Sequence, residues 1–216
     1  MSEGPNLMMG CGDVWVFTEI QDHERVLEGA LELLTRGREI ADELCVRLVA
    51  VVFALEAEQY LSVVERYGPD LIIYCSDPRL KHYDSQIFPD IYTGLIRTHR
   101  PSILLFPSTE AGTDLSPRLA QRFSTGVTAH CTGLGVMDSD EYGSGLLVMK
   151  RPAYGGNAIA TVICPHARPQ MATVQQGVFE KRESTDRNTE REQISFDFDM
   201  TSLHITAMKA PLRRDR

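Results

Sequence analysis

Apolar and β-branched residues fall into a regular strand–helix rhythm over the first 125 or so positions. Residues 13–19 (DVWVFTE) read as a strand bounded by turn residues. Over 24–44, Val26, Ala30, Leu33, Leu34, Ile40, Ala41 and Leu44 form one stripe at helical spacing, with Asp22 placed to cap the helix. Residues 46–53 (VRLVAVVF) are almost continuously apolar, the pattern of a strand covered on both faces. The alternation continues with a helix over 56–66, a strand over 71–75 and a helix over 83–99. A strand over 102–106 closed by Pro107 and a helix over 113–123 follow, with Pro117 expected in that helix's first turn. This order predicts an α/β fold, a mostly parallel twisted sheet with helices on both faces and right-handed crossovers. Ligands of such sheets sit at the carboxyl ends of the strands.

After Gly126 the helical patterns stop. Residues 127–137, 146–152, 158–164 and 171–174 read as strands separated by Gly, Asn and Pro turns, so added antiparallel strands are expected in the C-terminal third. The stretch 180–192 (EKRESTDRNTERE) reads as a charged, flexible connector. One or two terminal strands and a tail are expected over 193–216, and a disordered extension over 1–12. The main domain is then 13–179.

The net charge of −8 argues against a nucleic-acid binder, which needs a basic face to displace counterions. No apolar run is long enough to cross a bilayer, and the N-terminus lacks the basic and apolar regions of a secretory signal, so a cytoplasmic location is expected. The five cysteines are scattered without CxxC spacing, mostly in apolar runs. Buried reduced thiols are expected, with no disulfide and no metal. The six histidines show no metal-ligand spacing.

The sequence contains no GxxxxGK[ST] phosphate loop, GxSxG nucleophile elbow, HExxH zinc helix or GxGxxG turn. Asp77, Asp84 and Asp90 read as capping or solvated carboxylates rather than an acid–base pair. Three local patterns remain. Residues 107–114 (PSTEAGTD) follow a buried strand and open a helix. Ser108, Thr109, Gly112 and Thr113 could therefore contact a nucleotide, although Glu110 and Asp114 oppose a bare phosphate and plain capping competes. Asp114, Arg118 and Arg122 lie four residues apart on one helical face, either a solvated ladder or arginines facing a domain or subunit interface. The segments 151–157 (RPAYGGN) and 165–174 (PHARPQMATV) place Arg151, Tyr154, Gly155, Gly156, His166 and Arg168 at the tips of adjacent strands. That concentration suits an ordinary hairpin or a protein interface.

These segments, with 13–16 (DVWV), 100–107 (RPSILLFP), 112–120 (GTDLSPRLA), 125–134 (TGVTAHCTGL) and 168–174 (RPQMATV), carry a resemblance. In this order the chain resembles the N-terminal domain of electron transfer flavoprotein alpha subunits, over roughly residues 13–209. The resemblance implies an adenine-nucleotide-binding-like sheet that has lost its nucleotide. In the family it packs against a beta subunit and forms the platform over which a flavin domain swivels. It implies FAD in the complete alpha subunit and AMP or FAD in the beta partner, with a flavin-dependent dehydrogenase or quinone oxidoreductase as redox partner. The FAD-carrying domain that follows in the family is expected to be absent from this chain, which would then bind no cofactor and catalyse nothing alone. Two other readings stand beside it: a stand-alone nucleotide-binding module using 108–114, and an enzyme with a cryptic site near His166.

Overall fold

The computed structural model of the chain describes residues 12–184 and 187–196. The expected N-terminal extension and most of the expected terminal strands and tail lie outside the described residues. In chain order the elements are β1 (Val14–Phe17), a small hairpin of β2 (Ile20–Gln21) and β3 (Arg25–Val26), α1 (Glu28–Leu44), β4 (Leu48–Ala54), α2 (Glu58–Glu65), β5 (Leu71–Ser76), α3 (Ile87–His99), β6 (Ile103–Pro107) and α4 (Glu110–Arg122). Strands β7 (Val127–Cys131), β8 (Gly133–Ser139), β9 (Gly143–Ala153), β10 (Ala158–Val162), β11 (Gln170–Val174) and β12 (Glu190–Gln193) follow.

Seven strands make one sheet in the order β12-β5-β4-β1-β6-β11-β7, every neighbouring pair parallel. The expected mostly parallel sheet with helices on both faces is present. Alternation along β1 explains the two faces. Val14 and Val16 enter one core with α1 and α2, whereas Trp15 and Phe17 enter the other with α3 and α4. Strands β8, β9 and β10 form a separate antiparallel arm. The late strands therefore divide, β7 and β11 extending the parallel sheet while the arm holds the antiparallel pairs. The single strand read over 127–137 breaks between β7 and β8, beside His130 at φ 55°.

Gln170, fully buried, ties the arm to the sheet. Its amide oxygen accepts from Leu147 N at 2.8 Å and its amide nitrogen donates to Gly145 O at 3.0 Å. Leu134, Leu147 and Met149 of the arm join the α1 side of the core.

Local departures from the sequence reading have local causes. Helix α1 begins at Glu28, because residues 20–26 fold into the β2–β3 hairpin. Asp22 sits in its turn at φ 51° and caps nothing. Helix α4 begins three residues earlier than expected, with Thr109 as its cap. Pro117 consequently lies in the helix interior, where its missing N–H leaves the Thr113 carbonyl without its helical partner. Asp84 starts α3 by accepting from Gln86 N and Ile87 N at 2.8 and 2.9 Å.

The charged stretch after residue 179 folds back over the helices and ends in strand β12 on the edge of the sheet. Gly177 N donates to both oxygens of Glu32, and Thr35 exchanges hydrogen bonds with the backbone of Arg182. Lys181 pairs with Glu28, Arg66 with Glu183, and Arg187 with Asp42 and Asp70. Glu190 N then donates to Asp70 O, and Ile194 N to Tyr74 O, both at 2.9 Å. The composition reads as a linker because its charges point outward. The order comes from partners on α1, α2 and β5 that are distant in sequence.

Candidate functional site

The chain runs β1, β4, β5 to one side and then returns to β6 on the other side of β1. Strand order thus reverses between β1 and β6, and the carboxyl ends of these strands frame the crevice where α/β sheets hold ligands. A cleft of about 270 Å³ opens there. Phe17, Phe53 and Phe88 form its apolar floor. Glu19, the β2–β3 turn and the loop of Lys81, His82 and Tyr83 form its polar mouth.

The four nucleotide candidates lie at this end of the sheet, and their polar groups are already engaged by the protein. Thr109 Oγ1 accepts from Gly112 N at 3.0 Å and donates to Glu19 Oε2 at 2.6 Å. Ser108 Oγ donates to Thr173 Oγ1 at 3.0 Å, and Thr173 Oγ1 also accepts from His130 N. Thr113 Oγ1 returns to the Thr109 carbonyl at 2.5 Å. Gly112 is required sterically: a Cβ there would lie 2.0 Å from the carbonyl oxygen of Pro107. The carboxylate of Glu19 therefore sits on the capping residue of α4, where a phosphate would otherwise approach. Burial pushes its pKa up, and the Thr109 hydroxyl partly offsets this.

Arg118 and Arg122 diverge. Arg118 Nε donates to Asp114 Oδ2 at 2.7 Å along the exposed side of α4, and this pairing foremost holds Asp114 below the usual carboxylate range. Asp114 also accepts from Tyr83 O–H at 2.7 Å. Arg122 instead crosses to α3, pairing with Asp90 at 2.5 Å and with Thr93 Oγ1 at 2.8 Å.

The arm separates the remaining candidates into two places. Tyr154, Gly155 and Gly156 form the tip joining β9 to β10, with φ of 50°, 69° and 92°, and Arg151 sits just before it on β9. His166 lies at the other end of β9, its ring 6.1 Å from that of Tyr142. An 11-residue strand spans roughly 33 Å, so the two segments do not make one patch. Arg168 is turned inward, with Nη1 donating to Cys164 O at 3.1 Å and Ala167 O at 2.9 Å. Arg151 makes no hydrogen bond or ion pair among the described residues.

A protein-family model, described as the electron transfer flavoprotein domain, matches residues 14–198. The chain belongs to the electron transfer flavoprotein family. It is 37% identical over 193 residues to "Electron transfer flavoprotein subunit alpha" of Thermoanaerobacterium thermosaccharolyticum, covering 89% of this chain and 56% of that protein. The protein of the same name from Clostridium acetobutylicum is 40% identical over 181 residues, covering 84% and 52%. "Protein FixB" of Rhizobium meliloti is 38% identical, covering 82% and 50%. The chain spans about half the length of the curated relatives it matches.

Two groups of this electron transfer flavoprotein domain escaped the sequence reading. Glu19 lies two residues past the end of the buried strand β1, and an acid just beyond a buried strand is the signal that could have singled it out. His23 and His82 stand 59 positions apart and meet only in the folded chain, with Nε2 of His23 3.3 Å from Nδ1 of His82. Of the thiols, Cys75 and Cys131 are buried and pushed up to about 11 by desolvation, whereas Cys45 is exposed and Cys164 half-buried. Among the described residues no helix is long and apolar enough to cross a membrane.

Proposed function

We propose that the chain is the platform domain of an electron transfer flavoprotein alpha subunit. In this reading it docks the beta subunit in the cytoplasm and supports electron transfer between a flavin-dependent dehydrogenase or quinone oxidoreductase and its redox partner. It has no catalytic site of its own. The observation that carries the reading is the arm. Three of the four large apolar side chains exposed among the described residues lie on it: Tyr154 at 87%, Ile159 at 68% and Met137 at 43%. Ile159 pairs with the exposed Pro152 near the tip, whereas Met137 lies toward the other end of β9, paired with Leu146, which is fully buried. An antiparallel sheet left open to water is expected to be polar where it is open, and exposed apolar side chains there fit a protein partner. Arg151, Tyr154, Gly155 and Gly156 lie at the same end as Ile159, and Arg118 is exposed on α4. His166 and Arg168 lie at the far end and belong to the fold in this reading.

The crevice residues do not fit a flavin dinucleotide. Its pyrophosphate would meet the Glu19 carboxylate, and the cleft is smaller than the roughly 300–1,000 Å³ of ordinary ligand pockets. FAD then belongs to the remainder of a complete alpha subunit, and AMP or FAD to the beta subunit. The test is titration of the domain with purified beta subunit. Ile159→Lys is expected to weaken association at least tenfold and leave the melting temperature unchanged, because the side chain is exposed. Undiminished affinity in both Ile159→Lys and Met137→Lys would overturn the docking surface.

A further inference from the structure

The mouth of the switch-point cleft holds a feature that the docking reading does not use. His23 stands in the β2–β3 turn, which Glu24 N closes by donating to Gln21 O at 3.0 Å. Both central residues of that turn, Asp22 and His23, have positive φ, 51° and 57°, in a conformation that hairpins usually give to Asn or Gly. The backbone of His23 is pinned from behind by Tyr60, whose hydroxyl donates to the His23 carbonyl at 2.8 Å. His82 is held from its own side. It follows a short 3-10 turn capped by Asp77, with Leu80 buried. Two independently anchored loops thus bring two imidazole nitrogens to 3.3 Å, with the rings at 70° to each other.

Without metal the pair can share one hydrogen bond, either ring donating according to its tautomer. The separation also matches two nitrogens on one tetrahedral ion. Ligand bonds of about 2.0–2.1 Å place such nitrogens about 3.3–3.4 Å apart. We propose that His23 Nε2 and His82 Nδ1 form a two-imidazole site for a borderline divalent transition ion of the zinc type, stapling the β2–β3 hairpin to the loop before α3 across the mouth of the cleft. Imidazole nitrogen selects such ions over magnesium or calcium, which take oxygen. At about pH 7.5 an ordinary imidazole is largely neutral, which is the form that binds metal. Among the described residues no group of three or more His, Cys, Asp and Glu converges on one point. Water fills the remaining positions, which makes the site an exchangeable staple rather than a structural core.

The experiment uses the untagged chain and zinc chloride at about pH 7.5, followed by calorimetry. His23→Asn keeps a residue suited to positive φ, and His82→Gln keeps a polar side chain at an exposed position. Both are expected to retain the metal-free melting temperature. The expected result is one equivalent of zinc in the parent chain, with affinity at least tenfold lower in each variant and unchanged in Cys45→Ser. Hydrogen exchange at residues 20–26 and 81–83 should slow on adding zinc in the parent chain alone. Equal affinity in the parent chain and both histidine variants would overturn the site, and so would affinity that follows Cys45.

Discussion

At the scale of single residues, Gly112 and Glu19 decide what the carboxyl end of the sheet can hold. Gly112 lets the first turn of α4 close against the end of β6. Gly112→Ala forces a methyl group to 2.0 Å from the Pro107 carbonyl, where backbone cannot give way cheaply. A loss of about 2 kcal/mol or more is expected in urea unfolding. Glu19 works through its charge. Its folded pKa is raised by burial, so the unfolded chain ionises at lower pH than the folded one. The resulting penalty is fully present above the folded pKa, and it disappears as pH falls below the ordinary value of 4.5, where both states are neutral. Glu19→Gln keeps an acceptor for the Thr109 hydroxyl and removes the buried charge. It should be more stable than the parent chain at about pH 7.5, and the advantage should vanish toward about pH 4. An advantage that persists undiminished in acid would show that Glu19 is not the titrating group.

At the scale of elements, the arm and the last strand are held by groups that the local pattern does not reveal. Gln170→Leu, nearly equal in volume, would strand the Leu147 N–H and the Gly145 carbonyl in a buried setting. A destabilisation of roughly 2–4 kcal/mol is expected from the two unmet backbone groups. It should be accompanied by faster amide exchange along β9. Strand β12 makes a contrasting prediction. The amides of Glu190 and Ile194 donate to the edge of β5 and should exchange slowly. Exchange at the rate of an unstructured peptide would restore the connector that the composition suggests. Helix and strand identity over 13–123 was legible, because each stripe faces one of two cores and the periodicity reports that face directly. The starts of α1 and α4 were not, since a hairpin displaced one and a threonine cap advanced the other.

At the scale of the whole molecule, the arm converts neighbours in sequence into distant places. Residues 151–157 and 166–168 read as one arginine-rich patch, but β9 holds them at opposite ends. The two ends predict opposite phenotypes. Arg168 donates to carbonyls of its own loop, so Arg168→Ala should lower the melting temperature by roughly 2–4 °C for each kcal/mol lost, with beta-subunit association intact. Ile159→Lys should do the reverse. A variant of Arg168 that binds more weakly without melting earlier would return that residue to the interface. Surface pairs such as Arg118 with Asp114 should matter little to stability, because exposed ion pairs are largely screened.

The amino-acid sequence by itself determined the parallel α/β architecture, because it follows from the alternation of buried strands with amphipathic helices; the strand order that puts the crevice between β1 and β6 is a property of the tertiary structure. The ordered motifs of the sequence, from the first strand to RPQMATV at β11, likewise carried the family, since motif order survives without coordinates. Only the tertiary structure decided which polar groups meet. The Glu19 carboxylate on the α4 cap, the two histidines at 3.3 Å, Gln170 under the arm and the charged strand β12 all join residues remote along the chain. Local periodicity records which way a side chain faces. It does not record what another segment has brought to stand opposite.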